Sequence, residues 1–80
     1  MTREEANLRL NKVFQDVFDD DSISVNDNTT AEDFEDWDSF EHVNLIVGIE
    51  DEFSFKIPAD KVLSMQNVGE MIDIILDLGK

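Results

Sequence analysis

Asp36-Trp37-Asp38-Ser39-Phe40-Glu41-His42-Val43-Asn44-Leu45-Ile46-Val47-Gly48-Ile49-Glu50-Asp51-Glu52-Phe53 is the stretch on which the reading of this chain turns. It runs as an acidic loop that becomes a helix from about Asp38 to Phe53. Asp38 followed by Glu41 fits a capping box: the Asp38 carboxylate accepts a free first-turn N–H, and Glu41 reaches back to the cap's own N–H. Ser39 is thereby held at the mouth of the helix, beside the positive end of its dipole. An anion esterified to that hydroxyl would sit where backbone N–H groups already favour it. At 100° per residue, Leu45, Ile46, Ile49 and Phe53 share one side, while Phe40, Val43 and Val47 lie nearly opposite. The first stripe is core. The second, bordered by Asn44, Glu50 and Asp51, has the form of a partner-docking strip, unless a short following segment folds over Phe40 and Val43. Gly48 costs such a helix about 1 kcal/mol relative to Ala, which signals close approach by another element.

Working outward, 80 residues make one domain, 1–80, with a modest core. The absence of cysteine excludes a disulfide framework and the usual zinc sites. No run approaches the ~18 apolar residues of a membrane span, and the first residues carry no signal-peptide core, so the cytoplasm is the expected compartment. A net charge of −14 argues against nucleic acid and anionic membranes and for partners with basic patches. The charge is also segregated: fourteen Asp and Glu residues fall between Lys12 and Lys56, with no Lys or Arg among them.

Towards the N-terminus, Thr2-x-x-Glu5 is a second capping box. It opens a helix whose Ala6, Leu10, Val13, Phe14, Val17 and Phe18 form one apolar face. Asp19-Asp20-Asp21 ends it, because carboxylates oppose the dipole there. The connection from Asp19 to Asp38 is long for an unstructured loop, and Ile23, Val25, Phe34 and Trp37 are its expected pins. No register within it supplies a calcium loop, so no metal site is assigned. Towards the C-terminus, Pro58 disfavours helix at Ile57 and starts a short one over Ala59 to Leu63. Asn67-x-x-Glu70 caps a last helix whose Val68, Met71, Ile72, Ile75, Leu76 and Leu78 are apolar, ended by Gly79. The fold predicted is all-α: a four-helix bundle of three longer helices and one short third helix, with a long first loop and no sheet.

From Asp38-Ser39-Phe40 through Glu50-Asp51-Glu52-Phe53, Ile57-Pro58 and Val68, the order and spacing resemble the acyl carrier protein family. The first helix and long loop agree in length and character. The resemblance implies 4′-phosphopantetheine carried on Ser39 through a phosphodiester, attached by a phosphopantetheinyl transferase. It implies an acyl or aminoacyl cargo held as a thioester and presented to loading, synthase or acyltransferase enzymes with basic docking patches. Recognition is then expected to involve Asp38, Glu41, Val43, Val47, Glu50 and Asp51, in a monomer without catalytic residues. The family's usual glycine two residues before the Asp-Ser pair is absent, Phe40 replaces its leucine, and Asn44 stands where fatty-acid-synthesis carriers typically have an acid. These departures point to a specialised rather than a housekeeping fatty-acid-synthesis member, and the resemblance implies a role in fatty-acid, lipid or secondary-metabolite biosynthesis.

Two other readings compete. Ser39, His42 and Asp38 invite a hydrolase, but one helix turn cannot present nucleophile, base, orienting acid and oxyanion donors together, and no Gly-x-Ser-x-Gly elbow occurs. His42 falls near the core-facing stripe and reads as a packed, hydrogen-bonded histidine. An acidic helical adaptor without a prosthetic group is the other alternative. Finally, six Phe and one Trp predict an interior without a sizeable cavity, with Phe40 either buried there or on the docking face, and cargo that stays largely in solvent if short or polar.

Overall fold

Four helices follow one another in the computed structural model: α1 (Arg3–Val17), α2 (Ser39–Phe53), α3 (Ala59–Val62) and α4 (Val68–Leu78), with a single 3-10 turn at Ala31–Asp33. The structure describes residues 1–33, 37–62, 65 and 67–79. Among these there is no strand, only one isolated antiparallel bridge between Thr30 and Asn67. The expected all-α bundle with a short third helix is the architecture observed.

The caps fix the helix starts. Thr2 Oγ1 accepts the Glu5 N–H at 3.1 Å and Asn67 Oδ1 accepts the Glu70 N–H at 2.8 Å. In α4 the exchange is reciprocal, since Asn67 Nδ2 donates to Glu70 Oε1. The first helix ends by more than charge. Asp19 adopts a left-handed conformation (φ 51°) and the Asp20 N–H turns back to the Gln15 carbonyl at 3.0 Å, a Schellman-type closure with aspartate in the position glycine usually fills. Ser54 ends α2 in the same left-handed region.

The core gathers Leu10 and Phe14 of α1, Leu45 and Ile49 of α2, and Met71 and Ile72 of α4, none of them exposed. Helices α1 and α2 touch at Gly48, where a Cβ would lie 2.8 Å from Val13 Cγ1, so the close approach read from the sequence is present.

The long connection is tied down chiefly by polar side chains of α1. Asn11 pairs with the Val25 backbone in both directions, Oδ1 accepting its N–H at 2.6 Å and Nδ2 donating to its carbonyl at 3.1 Å. Gln15 donates to the Ile23 carbonyl. Farther on, the Thr29 and Asp27 carbonyls accept the Val68 and Gly69 N–H groups, which at a helix N-terminus have no intrahelical partner. Gly69 is needed for that approach, because a Cβ there would meet the Asp27 carbonyl oxygen at 2.8 Å. Of the four expected pins, Val25 and Trp37 are buried and Ile23 is half-buried, whereas Phe34 lies outside the described residues. Arg3 joins the same corner, bridging Asp27 of the loop and Asp73 of α4. Those two carboxylates, Asp73 first, raise its pKa above the usual arginine value.

Candidate functional site

Asp38 is the N-cap of α2, and its carboxylate accepts the Glu41 N–H at 2.9 Å. The return half of the expected capping box does not form. Glu41 accepts instead from Asn44 Nδ2 at 3.0 Å, one turn along its own helix. Because the cap sets the first helical residue, Ser39 is that residue and its side chain is exposed. Beside it opens a groove of about 800 Å³ between the long loop, the start of α2 and α3, lined by Thr30, Ala31, Trp37, Val43, Val62 and Met65 among others.

The outer face of α2 is bare. Phe40 is 76% exposed, Val43 56% and Val47 49%, so no described segment covers them and the strip read from the sequence is free. Of the two places the sequence left open for the Phe40 ring, interior or docking face, it takes the docking face and fills none of the interior. It lies about 140° round the helix from Leu45 and about 180° from Ile49, and both of those are taken by the core. The acidic border is uneven. Asp51 is exposed, while Glu50 is half-buried and its carboxylate accepts the Ile57 N–H at 2.7 Å, holding the connection into α3.

His42 has no share in a catalytic triad. Its Nδ1 faces Trp37 Nε1 at 3.2 Å and its Nε2 faces the Val62 carbonyl at 2.8 Å, so both ring nitrogens are engaged away from Ser39. The imidazole also stacks on the Trp37 ring, with centroids 6.1 Å apart and planes inclined by 15°. This is the packed, hydrogen-bonded histidine expected from the helical wheel. Its two partners could not be found from sequence, because Val62 is twenty positions away and carries no signal of the contact. Among the described residues no group of three or more His, Cys, Asp or Glu could hold a metal ion, and no helix is long and apolar enough to cross a membrane.

The site's own features bear on whether a phosphodiester-linked arm fits. An exposed hydroxyl at the first residue of a fifteen-residue helix gives the phosphate the favourable dipole end, and the adjacent groove gives an arm room to lie. The Asp38 carboxylate next to it is already satisfied by the Glu41 N–H. The residues fit the group.

Comparison with known proteins bears on the same point. No protein-family model matches the chain. It is 32% identical over 75 residues to the acyl carrier protein of Lactobacillus acidophilus, covering 94% of each chain. It is 28% identical over 73 residues to that of Tropheryma whipplei, covering 91% of this chain and 68% of the other. Its fold is similar to the solution structure of holo acyl carrier protein from Geobacter metallireducens, with a TM-score of 0.84 and 36% identity over 91% of this chain and 84% of that one.

Proposed function

The chain belongs to the acyl carrier protein family and is a carrier rather than an enzyme, and from that premise we propose that Ser39 bears 4′-phosphopantetheine. The observation that carries the assignment is the exposed hydroxyl held at the first residue of α2 by the Asp38 cap, at the mouth of an open groove. When attached, the group supplies a terminal thiol to which an acyl or aminoacyl cargo is linked as a thioester, a chemistry that this cysteine-free chain cannot provide itself.

The chain's residues have three tasks in this reading. Asp38 fixes the helix start, so that Ser39 projects to a phosphopantetheinyl transferase. Phe40, Val43 and Val47 offer an apolar strip, and Asp51 an exposed carboxylate, to a partner with a basic rim around an apolar centre. The tether then raises the local concentration of cargo at each partner's active site. The partners are thus the transferase and the loading, synthase or acyltransferase enzymes of a lipid or secondary-metabolite pathway, met by a monomeric carrier.

Intact mass after incubation with a phosphopantetheinyl transferase, coenzyme A and magnesium tests the assignment. The expected result is a gain of one phosphopantetheine in the wild type and none in Ser39→Ala, with the fold unchanged. Modification persisting in Ser39→Ala would place the group on another residue, and no modification of either would favour an adaptor without a prosthetic group.

A further inference from the structure

Among the described residues of helix α3 none is fully buried, and only Val62 packs, half-buried, against the core, so its position depends largely on what holds it from outside. Two side chains of α2 do so. Glu50 accepts the Ile57 N–H just before α3, and His42 meets the carbonyl of Val62, the last described residue of α3. The imidazole thus ties the Val62 carbonyl to a neighbouring helix. The other ring nitrogen settles where the proton sits. An indole N–H can only donate, so His42 Nδ1 must accept from Trp37, and the neutral ring carries its proton on Nε2, where it donates to Val62. One proton arrangement satisfies all three groups. Trp37 itself is 6% exposed; it lines the groove beside Ser39, yet its ring packs edge-on against the fully buried Phe14 at 5.3 Å. Trp37 therefore stands as a wall between that groove and the buried Phe14, with His42 stacked against it.

We propose that the hydrogen-bonded series Trp37–His42–Val62 is a latch that keeps this wall shut and restricts cargo tethered at Ser39 to short or polar acyl groups lying in the open groove. The inference rests on Ser39 being the attachment point. His42 is a positioning residue in this role, acting through α3. A long apolar chain gains by entering the core only if the two rings part, which breaks the nearly buried Trp37–His42 hydrogen bond. A short or polar group has little apolar surface to hide, so the latch stays closed.

The absence of cysteine allows a test that does not depend on the transferase. Ser39→Cys provides a single thiol, which is alkylated with iodoacetamide or with an iodoacetamide bearing an octyl tail, and side-chain signals are followed by NMR. With His42 intact, the octyl tail is expected to shift groove signals such as Val43, Val62 and Met65 and to leave Leu45, Ile49 and Met71 in place. Adding His42→Phe is expected to bring shifts at those three core residues. His42→Gln, which keeps an acceptor and a donor, is expected to restore the first pattern. In the unalkylated wild type, imidazole nitrogen spectra are expected to show a bare Nδ1 and a protonated Nε2. Should His42→Phe not fold, Trp37→Phe, which removes the indole donor, takes its place with the same expectation. Core shifts with His42 intact, no core shifts once the latch is removed, or the opposite tautomer would each overturn the latch. Failure of the transferase to modify Ser39 would instead remove the Ser39 attachment and leave the His42-dependent shifts standing.

Discussion

The two faces of α2 have similar chemistry and opposite fates. Leu45, Ile46 and Ile49 are buried in the core, while Phe40, Val43 and Val47, equally apolar, stand in solvent. Burying a large aliphatic side chain stabilises a fold by about 1.5–3 kcal/mol, so an apolar residue on the inner face is explained by stability alone. The outer face gains nothing of that kind from the described residues, and in the reading proposed above its apolar composition serves contact with a partner. The acidic residues divide in the same way: Glu50 is committed to the Ile57 N–H, Asp51 is exposed.

The largest test of this contrast is Leu45→Ala against Val47→Ala. The first should lose about 2–5 kcal/mol in denaturant unfolding, from lost transfer energy plus the cavity left behind. The second should change stability by no more than about 0.5 kcal/mol. Equal effects would mean that the outer strip is structural after all.

Gly69→Ala should come next. Alanine ordinarily improves a helix by about 1 kcal/mol over glycine. Here its Cβ would be forced onto the Asp27 backbone carbonyl, at a cost of about 1–3 kcal/mol. Net destabilisation, with lost protection of the Val68 and Gly69 amides in hydrogen exchange, is expected. A stabilised variant would show that the loop can retreat freely.

Glu50→Gln and Asp51→Lys sharpen the comparison among the charges. Glu50→Gln should cost about 1 kcal/mol by weakening a charge-assisted hydrogen bond, with little effect on loading by the transferase. Asp51→Lys should leave stability almost unchanged and slow loading at low salt. The difference from wild type should fade at physiological ionic strength, where exposed charges interact over only about 8 Å. If Asp51→Lys loads at the wild-type rate in low salt, recognition lies elsewhere, most naturally on the apolar strip itself.

The smallest effect belongs to the far end of the loop. Asp20 accepts from the Ser22 hydroxyl and backbone N–H, and these bonds, the hydroxyl's first, hold its pKa below the usual aspartate value. A lowered folded-state pKa means that the contribution is complete above the unfolded aspartate pKa and is lost as pH falls through the folded one. Ser22→Ala should therefore bring the Asp20 titration, followed by carboxyl carbon NMR, back towards its ordinary position, with almost no change in melting temperature at neutral pH.

Sequence alone determined the features that depend on neighbours within a turn or two. Thr2, Asp38 and Asn67 mark the helix starts because each cap bonds a backbone N–H three residues away. The core face of each helix follows from the 3.6-residue period, and Ser39 is placed by its cap. The tertiary structure decided what depends on distant partners. Asn11 holds Val25, Gly69 admits the Asp27 carbonyl, and His42 spans from Trp37 to Val62. A polar side chain on a helix has the same local pattern whether it faces water or a loop backbone, so periodicity cannot tell the two apart. The same holds for the outer stripe of α2, whose exposure became certain only once α3 had taken a place that leaves it uncovered. Local rules fix where helices begin and which side is apolar; the partner of each remaining polar or apolar group is set by how the helices are brought together.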